Sequence, residues 1–184
     1  GCLCLVGSEM CIRDRNYMDE QKAQICNNFL KENIDKIKLL PGSVQKHQAW
    51  EGGYIDHIVE VMNIADMLYD VMNMRRKLPF AFGDALFVLF FHDFDKLERY
   101  VLKDGVVQAE EYNTSVNRIK EVLEMRWSYS ITQEEYNAFK YTHGEDSDYS
   151  ASRLMGELAT FVHCCDTISA RIWYNYGKNR DDWA

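Results

Sequence analysis

The sequence predicts an all-α domain with one small β-hairpin at its rim, on three observations. Apolar residues recur at alternating steps of four and three over several long stretches. One segment, Asp84 to Phe91, is apolar almost all round, as a central buried helix is. A single short region, Tyr100 to Val107, carries β-prone runs on either side of Lys103-Asp104-Gly105, a hairpin signal. At 184 residues and 47% hydrophobic, the chain is long enough for one globular core without covalent staples.

The elements follow in order. Residues 1–15, above all Met10-Cys11-Ile12-Arg13-Asp14-Arg15, resemble translated adapter sequence from DNA library preparation. We therefore read 1–17 as a non-native extension and 18–184 as a single domain. Asp19 to Leu40 is a first helix, with Ile25, Phe29, Ile34, Ile37 and Leu40 at helical intervals and Pro41-Gly42 as its stop. The polar run Lys46 to Gly53 precedes a second helix whose stripe is Tyr54, Ile58, Val61, Ala65, Leu68 and Met72. His57 lies beside that stripe in the first turn, either as a core histidine satisfied by a carbonyl or as a metal ligand.

Pro79 breaks the chain before the central helix, which ends on His92-Asp93. Burying an imidazole and a carboxylate there is costly unless something binds them, and a cation would offset that cost. Lys96, three residues on, reaches either a bound anion or solvent. Two further helices, Thr114 to Trp127 and Thr132 to Tyr141, lead to His143-Gly144-Glu145-Asp146. The last helix is expected from Ser150, as N-cap, to Tyr174, with Leu154, Leu158, Phe161, Cys165, Ile168 and Ile172 as its stripe. His163 and Asp166 stand one turn apart beside that stripe. His163 is then either a support that orients Asp166 or ordinary core.

Composition narrows the classes. A formal charge of −8 argues against tracking long nucleic acid along a basic face. The six cysteines form neither a disulfide framework nor a paired zinc pattern, so reduced thiols and a cytoplasmic setting are expected. The apolar run Leu78 to Phe91 carries Asp84 and is too short to span a bilayer, so no membrane partner is expected. Met72, Met74 and Trp173 are either core or a surface for a homo-oligomer.

Taken together, Gly52-Gly53-Tyr54-Ile55-Asp56-His57, His92-Asp93-Phe94-Asp95-Lys96, His143-Gly144-Glu145 and His163-Cys164-Cys165-Asp166 resemble the ordered motifs of the HD-domain metal-dependent phosphohydrolases. The resemblance implies an HD-domain-like helical bundle and a divalent metal held by His57, His92, Asp93 and Asp166. It implies a catalytic part for Asp93 and Lys96, and for His143 a second metal or the substrate phosphate, with Glu145 assisting. This sequence has Asp95 where the family usually has a small residue. The run His47 to Gly53 is also similar to the segment before the first ligand in HD-type exoribonucleases.

Two imidazoles and two carboxylates suit manganese, iron, cobalt, nickel or zinc, as one ion or two. Such an ion lowers the pKa of a bound water to about 7 and stabilises charge on a phosphoryl oxygen. The expected function is hydrolysis of a phosphate ester in a nucleotide or similar small molecule, with Lys96, Arg171 and Lys46 neutralising phosphate. Trp50 either stacks on a base or is simply packed. Phosphodiesterase or exonuclease action on cyclic or short oligonucleotides is the alternative reaction. A non-catalytic module that senses a nucleotide or binds a partner is the alternative class.

Overall fold

The computed structural model describes residues 17–103, 106–110 and 116–175; the expected extension 1–17 lies outside these except for Tyr17, as do the hairpin turn 104–105 and the first residues expected of the fourth helix. The described chain is helical with one two-stranded antiparallel sheet. Its helices are α1 (Glu20–Ile37), α2 (Gly53–Arg75), α3 (Phe82–Phe91), α4 (Asp95–Arg99), α5 (Val116–Trp127), α6 (Gln133–Tyr141) and α7 (Glu157–Arg171). Strands β1 (Tyr100–Lys103) and β2 (Val106–Ala109) pair with Tyr100 opposite Ala109 and Lys103 opposite Val106.

Helix α3 is the axis, touching α1, α2, α6 and α7. From Ala85 to Phe91 no residue is more than 2% exposed. Phe91 meets Phe29 of α1 edge to face at 5.0 Å and Phe87 at 5.3 Å, so aromatic packing fixes the approach of α1. Because this helix is greasy on every side, whatever its C-terminus carries is delivered to the middle of the bundle. That cargo is His92-Asp93.

An ion cluster joins three helices at the opposite end of α3. The buried Lys22 ammonium of α1 contacts Asp84 of α3 and lies 2.9 Å from Glu135 Oε1 of α6. Glu135 also accepts from Tyr129 Oη at 2.8 Å and from the Thr132 amide at 2.8 Å, closing the capping box that starts α6. Lys22 is thereby held protonated, its pKa raised because these carboxylate bonds outweigh burial.

The last helix is shorter than its apolar spacing predicts. Ser150 does not cap it: its hydroxyl accepts from the Ser152 amide at 3.2 Å in a local turn, and α7 starts after Gly156. Asn137 of α6 pins the intervening segment, donating to the Leu154 carbonyl and accepting from the Gly156 amide, both at 2.8 Å. Leu154 and Ile172, expected on the core stripe, are exposed. Met72, expected in the core, is exposed too, as are Val71 and Met74 beside it near the end of α2.

Among the described residues, Glu60 is a buried group without hydrogen-bond partners. It is fully buried on α2, and neither carboxylate oxygen has a hydrogen-bond partner. Burial, with Asp56 adding a like charge, raises its pKa from 4.5 to about 9. A raised carboxyl pKa means the folded chain holds a proton that the unfolded chain releases, so stability falls as pH rises from 4.5 to 9. Glu60→Gln is expected to raise stability by a few kcal/mol at pH 8 and by little at pH 4.5. Urea denaturation at the two pH values checks this; an equal effect at both would mean that Glu60 is ionised in the fold.

Candidate metal centre

Four side chains from three helices converge where α3 ends. His57 comes from the first turn of α2, His92 and Asp93 follow α3, and Asp166 projects from α7. His57 Nε2 lies 3.2 Å from His92 Nε2, 3.2 Å from Asp166 Oδ1 and 3.4 Å from Asp93 Oδ2. His92 Nε2 lies 3.4 Å from Asp93 Oδ2 and 3.6 Å from Asp166 Oδ1. All four residues are buried.

The far edges of both rings are anchored. His92 Nδ1 donates to the Leu89 carbonyl at 2.6 Å, which leaves Nε2 as its inward-facing nitrogen. His57 Nδ1 is 3.0 Å from Ser169 Oγ. His57, His92 and Asp93 thus form one group whose ligand atoms lie close enough together to hold an ion, with Asp166 Oδ1 against both rings. Atoms bound to one ion at about 2.1 Å stand about 3.0 to 3.5 Å apart, so the separations among His57, His92 and Asp93 fit a shared metal ion. Anchoring of the second ring nitrogen is also what orients histidine ligands.

The electrostatics describe a site charged by protons instead. Burial lowers the His57 pKa to about 4, so His57 is neutral. Burial acts the same way on His92, but Asp93 and Asp166 outweigh it and raise His92 to about 9. Burial opposes ionisation of Asp93 as well, yet Lys96 and His92 hold it well below the usual carboxylate range. Asp166 is lowered too, against burial, by its bonds to His57 and His92. Below pH 9 the proton on His92 must therefore leave before a cation can bind through Nε2. Zinc binding at pH 7 is expected to release about one proton, read from the dependence of calorimetric enthalpy on buffer. Release of none would contradict the shared site.

The remaining expected residues fall into three groups. His143 joins the centre from its edge, with Nε2 3.6 Å from Asp93 Oδ1 and 3.9 Å from Asp166 Oδ2, and its side chain is largely exposed. His92, His143 and Asp166 form a second group able to hold an ion beside that of His57, His92 and Asp93. Gly144 follows with φ of 109°, a conformation that glycine takes without strain and that turns the chain away after His143.

His163, Glu145 and Lys96 hold structure around the centre. His163 Nδ1 donates to the Thr142 carbonyl at 2.7 Å, which places it under the His143 turn. Glu145 accepts from the Met155 amide at 3.0 Å. Lys96 is buried, and its ammonium donates to Asp93 Oδ2 and to the Gly42 carbonyl. Trp50 donates through Nε1 to Asp56 Oδ2 at 2.8 Å, against the first turn of α2.

Lys46 and Arg171 are exposed, and neither lines the cleft of about 540 Å³ that opens at His92 and His143. The cations on that cleft are Arg99, Arg118 and Lys140, paired with Asp95, Glu98 and Asp148 in turn, and its lining also includes the apolar Phe94 and Phe139. Sequence reasoning passed over Arg99 and Lys140, which look like ordinary helix-surface charges. It also passed over Ser169, although Ser169 follows Asp166 by one helical turn and so shares its face.

Comparison of the chain with protein-family models, with curated proteins and with solved structures finds no match to any of them.

Proposed function

We propose that this protein is a metal-dependent phosphohydrolase of the HD-domain type, cleaving a phosphate ester of a nucleotide or similar small phosphorylated molecule. The observation that carries the reading is the meeting of His57 Nε2, His92 Nε2, Asp93 Oδ2 and Asp166 Oδ1, with both rings anchored behind. His57, His92, Asp93 and Asp166 would hold the ion, with His143 at the edge for a second ion or for the phosphate. When bound, a transition metal supplies an activated water and stabilises charge on the phosphoryl oxygen.

The chain's own residues do the rest. Leu89 and Ser169 fix the two imidazoles before anything binds, so no reorganisation of the rings is needed. Lys96 keeps Asp93 ionised and therefore able to act as a ligand. The cleft beside His92 and His143 is large enough for a small organic phosphate, and burial of the four ligands keeps bulk water from the inner face. Cleavage of cyclic or short oligonucleotides uses the same centre; a wall of the cleft on which a base packs, such as Phe94 and Phe139, serves either reaction.

The test is metal analysis of the purified chain, followed by a phosphate-release and product screen over nucleoside mono-, di- and triphosphates, cyclic nucleotides and short oligonucleotides. Bound transition metal with turnover of one class is the expected result. Stoichiometric metal with nucleotide binding but no turnover would replace the enzyme with a nucleotide sensor. Absence of metal after reconstitution would overturn the reading.

A further inference from the structure

A second cavity, of about 430 Å³, adjoins the cleft that opens at His92 and His143, and Phe94 and Arg118 line both. Helix α5 walls the two in succession. It gives Val116 and Ile119 to the cleft, Arg118 to both, and Val122 and Arg126 to the second cavity. Arg118, Val122 and Arg126 follow one another at single-turn steps, so they share a face of α5, and Arg126 stands about 12 Å further along it than Arg118. Helix α4 stands between the cavities, with Asp95 and Arg99 on the cleft and Leu97 and Glu98 on the second cavity. A molecule that extends from the metal centre as far as Arg118 has therefore reached the second cavity.

That cavity is cationic over an apolar floor. Lys36 of α1 and Arg126 of α5 line it together with Arg118, although the whole chain carries a charge of −8. The carboxylate on its lining, Glu98, is engaged by Arg118, whose Nη2 lies 2.7 Å from Oε1 and whose Nε lies 3.1 Å from both oxygens. This fork holds the guanidinium in place at the junction. Glu32, 3.4 Å from Arg126 Nη1, is not part of the lining, and both side chains of that pair are at least half exposed. An exposed ion pair of this kind contributes little, so Arg126 exchanges Glu32 for another anion at small cost. Phe94, Leu97 and Val122 supply the apolar surface.

Lys36 and Arg126 line the second cavity and not the cleft, so neither meets a phosphate held at His143. Two cations set apart from the metal centre match an anion set apart from the scissile one. We propose that the second cavity is a substrate subsite: the substrate carries a second phosphate, remote from the one at the metal centre, which Lys36 and Arg126 bind, with Arg118 between the two. The inference rests on the hydrolase reading for the first phosphate. Its chemistry is that of a nucleoside bisphosphate or of a dinucleotide, in both of which a sugar separates two phosphates.

The test compares a ribonucleoside 5′-monophosphate, the matching 3′,5′-bisphosphate and a 5′-phosphorylated dinucleotide on the full chain loaded with Zn²⁺, by calorimetric titration and by phosphate release. One or both of the two-phosphate compounds are expected to exceed the monophosphate by about 10- to 100-fold in affinity and in kcat/KM, the worth of charge-assisted hydrogen bonds to one further phosphate. A gain for the bisphosphate alone identifies a terminal phosphate as the ligand, and a gain for the dinucleotide a diester. Arg126→Ala and Lys36→Ala, both at exposed positions, should each bring the ratio towards one, and Arg126→Lys should keep most of it. Equal values for all three compounds, or a ratio that survives both alanine variants, would overturn the inference. A preference in binding without phosphate release from any compound would remove the hydrolase reading and keep the subsite. Phosphate release without preference would do the reverse, and failure of every compound to bind or react would remove both.

Discussion

Asp166→Ala is expected to abolish transition-metal binding at the centre and to lower turnover by about 10³-fold or more, since loss of one charged ligand removes several kcal/mol of transition-state stabilisation. Asp93→Ala should do the same to activity, but the two variants differ in the metal-free protein. Asp93 is the carboxylate partner of the buried Lys96 ammonium, whereas Asp166 contacts imidazoles. Removing Asp93 leaves a buried cation with one carbonyl, a loss of about 3–5 kcal/mol. Asp166→Ala should be the better folded of the two and thus the cleaner probe of chemistry. Denaturant melts of both variants without metal, beside metal stoichiometry and kcat/KM, check the pair. Retention of metal and turnover by Asp166→Ala would sink the four-ligand centre.

An effect on folding as large as that of Asp93→Ala is expected far from that centre, at Lys22. Its ammonium is the counter-charge for Glu135, whose side chain is 1% exposed. Lys22→Met keeps the apolar stem against Phe87 but strands the carboxylate, at a cost of about 3–5 kcal/mol. Adding Glu135→Gln should recover part of this, because the amide can still meet Tyr129 and needs no cation. A thermodynamic double-mutant cycle reads the coupling directly. Coupling near zero would mean that the Lys22–Glu135 ion pair contributes nothing to stability.

The sequence made the helices legible where one face of a segment decides its fate. The stripes of α1 and α2, and the all-apolar character of α3, point to the same core that the structure shows. His57 and Asp166 stood out beside such stripes and His92-Asp93 at the end of the all-apolar helix, whereas His143 was singled out by the motif resemblance alone. The spacing misled where a side chain elsewhere competes with helix formation. Leu154 continues the period of α7, yet the bonds from Asn137 hold 154–156 as loop, a contact that no local pattern contains. Lys96 illustrates the other kind of error. Its position after His92-Asp93 suggests an arm extended toward substrate, but the Gly42 carbonyl, 54 residues earlier, accepts its hydrogen bond.

The order of the ligands along the chain sets the order in which the centre comes into being on the ribosome. A nascent chain that has emerged as far as Tyr141 carries His57, His92 and Asp93, and can close α2 and α3 on one another. It lacks Asp166 and lacks the Ser169 hydroxyl that orients His57. Both of these missing pieces belong to the final helix. A chain stalled before α7 thus carries His57, His92 and Asp93, a group able to hold an ion, without Asp166 or the hydroxyl that anchors the His57 ring.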